Sequence, residues 1–179
     1  MKIKKIIVLD RDGVINIDSD AYIKSADEWL PEVGSIEAIK ALKQAGWIVA
    51  IATNQSGIKR GYYGRKQLSE MHLKLQQLLV PERIDWISYA PYLNEDNSPA
   101  RKPSMGMLTA IEQRFGLCLS GAPMVGDTLA DIRVAQSKNM KPYLVQTGKG
   151  VKTLATQDAV LTGVPVYLNL HAAVEAILK

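Results

Sequence analysis

The chain has 179 residues, 47% of them hydrophobic and 22% charged, with a net charge of +4 and one cysteine. This composition suits one α/β domain over residues 1–179 with a sizeable core; it excludes an internal disulfide, so a reducing, cytoplasmic setting is expected. No apolar run approaches the roughly 20 residues of a membrane span, the apolar lead after Met1 is too short for a signal peptide, and the small, dispersed positive excess suits an anionic small molecule rather than nucleic acid.

Short apolar runs alternate with amphipathic stretches. Ile6 to Leu9 reads as a strand. From Ser35, the residues Ile36, Ile39, Leu42 and Ala45 recur at helical spacing, and Gly46 supplies a stop. "WIVAIATN" is a second strand, apolar throughout as central parallel strands tend to be. Leu68, Met71, Leu75 and Leu78 mark a second helix, and "IDWISYA" a third strand. Ser104 to Phe115 reads as a helix ended by Gly116, "APMVGD" as a fourth strand, and Thr128 to Lys138 as the helix after it. "YLVQT" and "VPVYLN" complete the strands, and His171 to Leu178 forms a terminal helix. Such alternation predicts a Rossmann-like, doubly wound, mostly parallel sheet with helices on both faces. The connection 16–34 is too short for a large cap domain, and so is the interval between Thr53 and Lys102 once its helix and strand are counted; "LNEDNSPARKP" is the most loop-like segment.

Open parallel sheets bind ligands at the carboxyl ends of their strands. There the sequence places Asp10, Arg11 and Asp12, then Thr53, Asn54 and Gln55, then Arg101 and Lys102, then Asp127 with Asp131 one helical turn on. Asp10 and Asp12, two positions apart on an extended chain, face the same side and crowd negative charge, while Arg11 points away. Two such charges about 4 Å apart repel by roughly 4 kcal/mol at an effective dielectric near 20. A hard divalent cation such as Mg²⁺ reverses that sign, and the oxygen-only donors suit it. One carboxylate then stays ionised as a nucleophile, and the other moves a proton. Thr, Asn, Lys and backbone N–H groups suit phosphate oxygens.

These motifs together, Asp-x-Asp, Thr, Lys and Gly-Asp with a second Asp, resemble the haloacid dehalogenase-like phosphatases. "DRDGVIN", "ATNQSGIKRGYY", "RKPSMGM" and "MVGDTLADIRVA" are similar to the heptose 1,7-bisphosphate phosphatase subgroup, whose near relatives act on histidinol phosphate. The resemblance implies that Asp10 attacks phosphorus, that Asp12 serves as acid and then base, and that Asp10, the Asp12 carbonyl and Asp127 hold Mg²⁺. It also implies that Thr53, Asn54 and Lys102 bind the phosphoryl group and that Arg101 helps hold the substrate. Asp131 belongs either to the outer metal shell or to the support of Lys102. The implied partner is a small phosphorylated sugar on the route to the lipopolysaccharide core, with the enzyme a monomer.

One departure stands out. The subgroup usually carries zinc ligands before Arg-Lys-Pro, and here Ala90, Tyr92, Ser98 and Ala100 occupy those places. None of them replaces a thiolate or imidazole, so no zinc is expected, and Pro91, Pro99 and Pro103 are expected to restrain the loop instead. His72 and His171 read as surface or packing residues, and Cys118 as a small apolar filler. Two readings of another class remain open. A receiver domain also gathers Asp, Thr and Lys at strand ends, but its phosphoacceptor follows the third strand, where "IDWISYA" offers none. An inactive phosphate-binding relative would have lost a chemical residue, yet Asp10, Asp12 and Lys102 are all present.

Overall fold

The structure is a computed structural model that describes residues 5–179; the lead-in before Lys5 lies outside them. Six strands form one sheet: β1 (Ile6–Leu9), β2 (Ile48–Asn54), β3 (Trp86–Ala90), β4 (Pro123–Gly126), β5 (Lys141–Val145) and β6 (Val166–Tyr167). They run in the order β3-β2-β1-β4-β5-β6, and every pair is parallel. Among the described residues six α-helices accompany them: α1 (Ser35–Gln44), α2 (Arg65–Leu79), α3 (Gly106–Phe115), α4 (Leu129–Ser137), α5 (Gly150–Ala155) and α6 (Leu170–Leu178).

Period-2 alternation along β1 splits the core into two layers. Ile7 and Leu9 face one side, where Ile39 and Leu42 of α1, Met71 and Leu75 of α2, and Ala173 and Val174 of α6 cover them. Ile6 and Val8 face the other, against Leu108 and Ile111 of α3 and Val134 and Ala135 of α4. All four β1 side chains are buried, which is why that strand is apolar without interruption. Full burial of each large aliphatic side chain contributes about 1.5–3 kcal/mol.

Several expected boundaries move. Leu79, not Leu78, closes the buried stripe of α2, and Leu78 is exposed. "VPVYLN" shortens to a two-residue strand because Asn169 leaves it to cap α6, its side chain accepting from Ala172 N at 3.0 Å. Helix α5 has no counterpart in the sequence reading, since "GVKTLA" is too short to show a stripe. Cys118 is exposed rather than a core filler; Leu119 beside it takes the buried place.

The long connections carry no α-helix or named strand over 10–34 or 91–105, so no separate cap stands over the sheet among the described residues. Trp29 anchors the first connection in the core, and Lys74 Nζ donates to the carbonyls of Ala26 (2.6 Å) and Trp29 (2.8 Å). The second connection is tied by Arg101 Nη1 on the Tyr92 carbonyl (3.0 Å), Leu93 N on Asp96 (2.8 Å) and Gly106 N on the Pro99 carbonyl (2.9 Å). Hydrogen bonds across the loop therefore hold it. Among the described residues, no helix is long and apolar enough to cross a membrane.

Candidate active site

Strand order reverses at β1, which has β2 on one side and β4 on the other. That switch point is where a doubly wound sheet opens a crevice. A cavity of about 480 Å³ lies there, lined by Asp10, Asp12, Thr53, Asn54, Arg101, Lys102 and Asp127 among others. The sheet thus brings all the expected binding and catalytic positions to one rim, with Asp131 directly behind.

Asp10 follows β1, and its Oδ1 accepts from Arg11 N (2.7 Å) and from Lys102 Nζ (2.9 Å). The same ammonium reaches Asp131 Oδ1 at 2.6 Å, and Asp131 Oδ2 accepts from Thr128 N and Oγ1 at 3.1 and 2.6 Å. Asp131 therefore does two jobs, capping the first turn of α4 and gripping Lys102. Asn54 braces the same lysine: its Oδ1 accepts from Lys102 N and its Nδ2 donates to Lys102 O, both at 3.0 Å. Its amide is directed at the loop backbone, leaving one N–H for anything in the cavity.

Asp127 ends β4. Its Oδ2 accepts from Lys149 N at 2.7 Å, while its Oδ1 is buried with no partner among the described residues. Asp10, Asp127 and Asp131 each offer a carboxylate oxygen within 4.8 Å of the others. Burial, then the charge of Asp131, raises the Asp10 carboxyl to about 7 despite Lys102. Burial, then Asp10 and Asp131, raises Asp127 to about 8. Three hard-oxygen carboxylates that cannot all ionise comfortably, one with an orphaned oxygen, fit a divalent cation such as Mg²⁺. Gly13 shapes this cradle: its φ is +80°, and a Cβ there would sit 2.3 Å from Asp127 Oδ2.

Asp12 departs from expectation. The chain leaves the ladder after Leu9 and turns, the N–H groups of Val14, Ile15 and Asn16 all donating to the Arg11 carbonyl. Strand alternation no longer holds there, so Arg11 does not point away from the site. It is 1% exposed and donates to Asp12 Oδ1 at 2.7 Å and to Oδ2 at 3.0 Å. Burial opposes the charge on Asp12, but Arg11 and the bonds from Asn16 and Gln55 outweigh it and hold the carboxyl below its usual range. The crowding expected between Asp10 and Asp12 is accordingly slight. Asp131 is the stronger repulsive neighbour of Asp10.

The sequence reading assigned no role to Gln55, Asn16, Tyr63 or Lys149. Gln55 was detectable in principle, standing two residues after Thr53 on the same strand face. Lys149 arrives on a connection far along the chain and gave no local signal. His72, read as packing, lies 3.4 Å from Arg11 Nη1, and burial plus that guanidinium lower it to about 4, so it is neutral.

A family described as HAD-hydrolase-like matches residues 99–171. The D-glycero-beta-D-manno-heptose-1,7-bisphosphate 7-phosphatase of Pseudomonas aeruginosa is 46% identical over 98% of this chain and 99% of its own. A crystal structure of D,D-heptose 1,7-bisphosphate phosphatase from Bordetella bronchiseptica, complexed with magnesium and phosphate, superposes with a TM-score of 0.93 at 44% identity, covering 97% of this chain and 98% of that one. The corresponding phosphatase of Burkholderia thailandensis gives a TM-score of 0.76 at 38% identity, covering 98% and 99%. With the parallel sheet, the carboxylate cluster and these likenesses over nearly its whole length, the chain belongs to the heptose-bisphosphate phosphatase family of the HAD-like hydrolases.

Proposed function

We propose that this enzyme is a Mg²⁺-dependent phosphatase that removes the C7 phosphate of D-glycero-D-manno-heptose 1,7-bisphosphate through an aspartyl phosphate. The observation that carries the chemistry is the single ammonium of Lys102 set between Asp10 and Asp131, beside the unpartnered Oδ1 of Asp127. Asp10, the Asp12 carbonyl and Asp127 would hold the metal, which when bound offsets charge on the phosphoryl oxygens and on the cluster.

The residues then divide the work. Lys102 and the Thr53 hydroxyl hold the phosphoryl group, with Asn54 fixing Lys102. An Asp10 oxygen attacks phosphorus and the bond to the C7 oxygen breaks. The released electron pair takes a proton from Asp12. In the second half, water attacks the same phosphorus, Asp12 takes its proton, and the phosphorus–Asp10 bond breaks to return the carboxylate and free phosphate. Donor-only surroundings favour the ionised Asp12, the form that accepts the water proton; the acid form requires one of those bonds to be given up.

Two features support a small bisphosphorylated sugar. The cavity is of small-ligand size. Arg60 and Arg101 both line it, and Arg101 Nε is buried without a partner among the described residues. A second phosphate suits such guanidinium groups. The reading includes one phosphatase domain acting as a monomer in the cytoplasm. Phosphate release should be measured with Mg²⁺ on heptose bisphosphate, histidinol phosphate and common sugar phosphates. A dominant kcat/KM for heptose bisphosphate, lowered about tenfold by Arg101→Ala, supports the assignment. A large preference for histidinol phosphate removes the substrate while leaving the chemistry.

A further inference from the structure

Asp12 is gripped on both oxygens by a network that reaches beyond the groups named in the mechanism. Oδ1 accepts from Arg11 and from Asn16 Nδ2 (3.0 Å), and Oδ2 accepts from Gln55 Nε2 at 2.6 Å. Gln55 is only 2% exposed, and its amide is engaged at both ends. Nε2 also donates to Thr53 Oγ1 at 2.9 Å, and Oε1 accepts from Tyr63 OH at 2.6 Å and from Arg11 Nη2 at 3.2 Å.

An amide of this kind can turn over by 180°, exchanging its oxygen and nitrogen. Here it cannot do so freely. A guanidinium has donors only, so Arg11 requires the oxygen on its side. Tyr63 adds a second donor to that oxygen, and burial, ahead of the opposed charges of Arg11 and Asp12, pushes its phenol up to about 12, so the donor proton persists at neutral pH. With Oε1 claimed twice, Nε2 must face Asp12 and Thr53. Reversal would set an oxygen against the Asp12 carboxylate. Tyr63 is itself fixed by close packing: a Cβ on Gly57 would fall 2.2 Å from its Cε1.

We propose that Gln55, oriented by Tyr63, is the positioning residue for the acid–base carboxylate Asp12. The pair acts through Asp12 and not on the phosphoryl group, so its effect falls on the departure of leaving groups that need a proton. This rests on the acid role given to Asp12 above, and the test separates the two.

A sugar alkoxide is a poor leaving group and requires protonation; p-nitrophenolate is a good one and does not. kcat/KM extends only as far as leaving-group departure, so the later attack of water does not enter it. Tyr63→Phe, Gln55→Met and Asp12→Asn should each be assayed with Mg²⁺ on heptose bisphosphate and on p-nitrophenyl phosphate, with thermal melting alongside. Tyr63→Phe should lower kcat/KM about tenfold for the sugar phosphate and less than about twofold for the aryl phosphate. Gln55→Met should show the same split with a larger sugar loss, and it carries the comparison if Tyr63→Phe does not fold. Equal losses on both substrates, no loss, or a gain on the sugar phosphate from an Asp12 freed to take its proton, overturn the proposal. If Asp12→Asn shows the split and the other two variants do not, the positioning role alone fails. If Asp12→Asn shows no split, the acid role fails and the proposal falls with it.

Discussion

The side-chain amide of Asn54 and the backbone of Lys102 form a reciprocal pair, two 3.0 Å hydrogen bonds that tie the end of β2 to the loop after β3. Lys102 reaches Asp10 and Asp131 because its main chain is held there. Asn54→Leu should therefore lower kcat/KM about tenfold to a hundredfold, as expected when a buried charge-assisted contact is misplaced by a fraction of an ångström. Asn54→Asp should also lose activity, since it cannot donate to the Lys102 carbonyl. Steady-state kinetics on the sugar phosphate reads both; unchanged kinetics in Asn54→Leu removes the brace.

Asp10→Asn should abolish turnover and leave the fold intact. The amide keeps the shape of the carboxylate but cannot form the acyl phosphate. Because it also removes a charge from the Asp10, Asp127 and Asp131 cluster, the chelated variant should melt no lower than the chelated wild type at pH 8. Phosphate release and melting, measured together, check both halves.

Metal and pH are linked through the same cluster. Asp10 at about 7 and Asp127 at about 8 lie above their unfolded values. The folded chain therefore binds more protons than the unfolded one until pH passes those values, and stability falls as pH rises. His72, lowered to about 4, acts in the opposite sense below about 6.5, where the unfolded chain gains its proton. The clean window is pH 6.5 to 8, in which chelated protein should lose on the order of 1–2 kcal/mol. Adding Mg²⁺ at pH 8 should restore it. Denaturant titrations with and without chelator test this; a flat or rising chelated profile counts against the charge-crowded cluster.

Gly13→Ala should be severe for so small a change. The backbone there has φ +80°, and the new methyl would meet Asp127 Oδ2 at 2.3 Å. Strain of about 1–3 kcal/mol in unfolding free energy should accompany a weaker response to Mg²⁺. Melting curves against Mg²⁺ concentration measure both, and a wild-type midpoint would show that the turn can relax.

Much of the fold was legible because the central strands are buried on both faces and so read as plain apolar runs, as in "IIVL" and "IVAIAT". Asp10 and Asp127 were legible because polar residues interrupt those runs at their ends, and Lys102 because it stands in the motif "RKPSMGM" of the loop after β3. Arg11 was misread because strand alternation was carried two residues past the ladder, into a turn that the backbone of 11–16 closes on itself. The contacts of Gln55 with Asp12 and of Lys149 with Asp127 are distant in sequence, and helix α5 is too short for periodicity to show.

The adjacency of β1 and β4 carries a consequence for assembly. Their carboxyl ends supply Asp10 and Asp127, yet the two strands are separated in the chain by β2, β3 and three helices, so their pairing closes a long stretch of chain. The carboxylate cluster is therefore completed by a long-range contact: Asp127 and Asp131 come together locally at β4 and the start of α4, and Asp10 joins them only when β1 and β4 pair. A refolding chain monitored by Mg²⁺ binding should report the joining of its two halves, lagging behind the helical signal that the separate segments give.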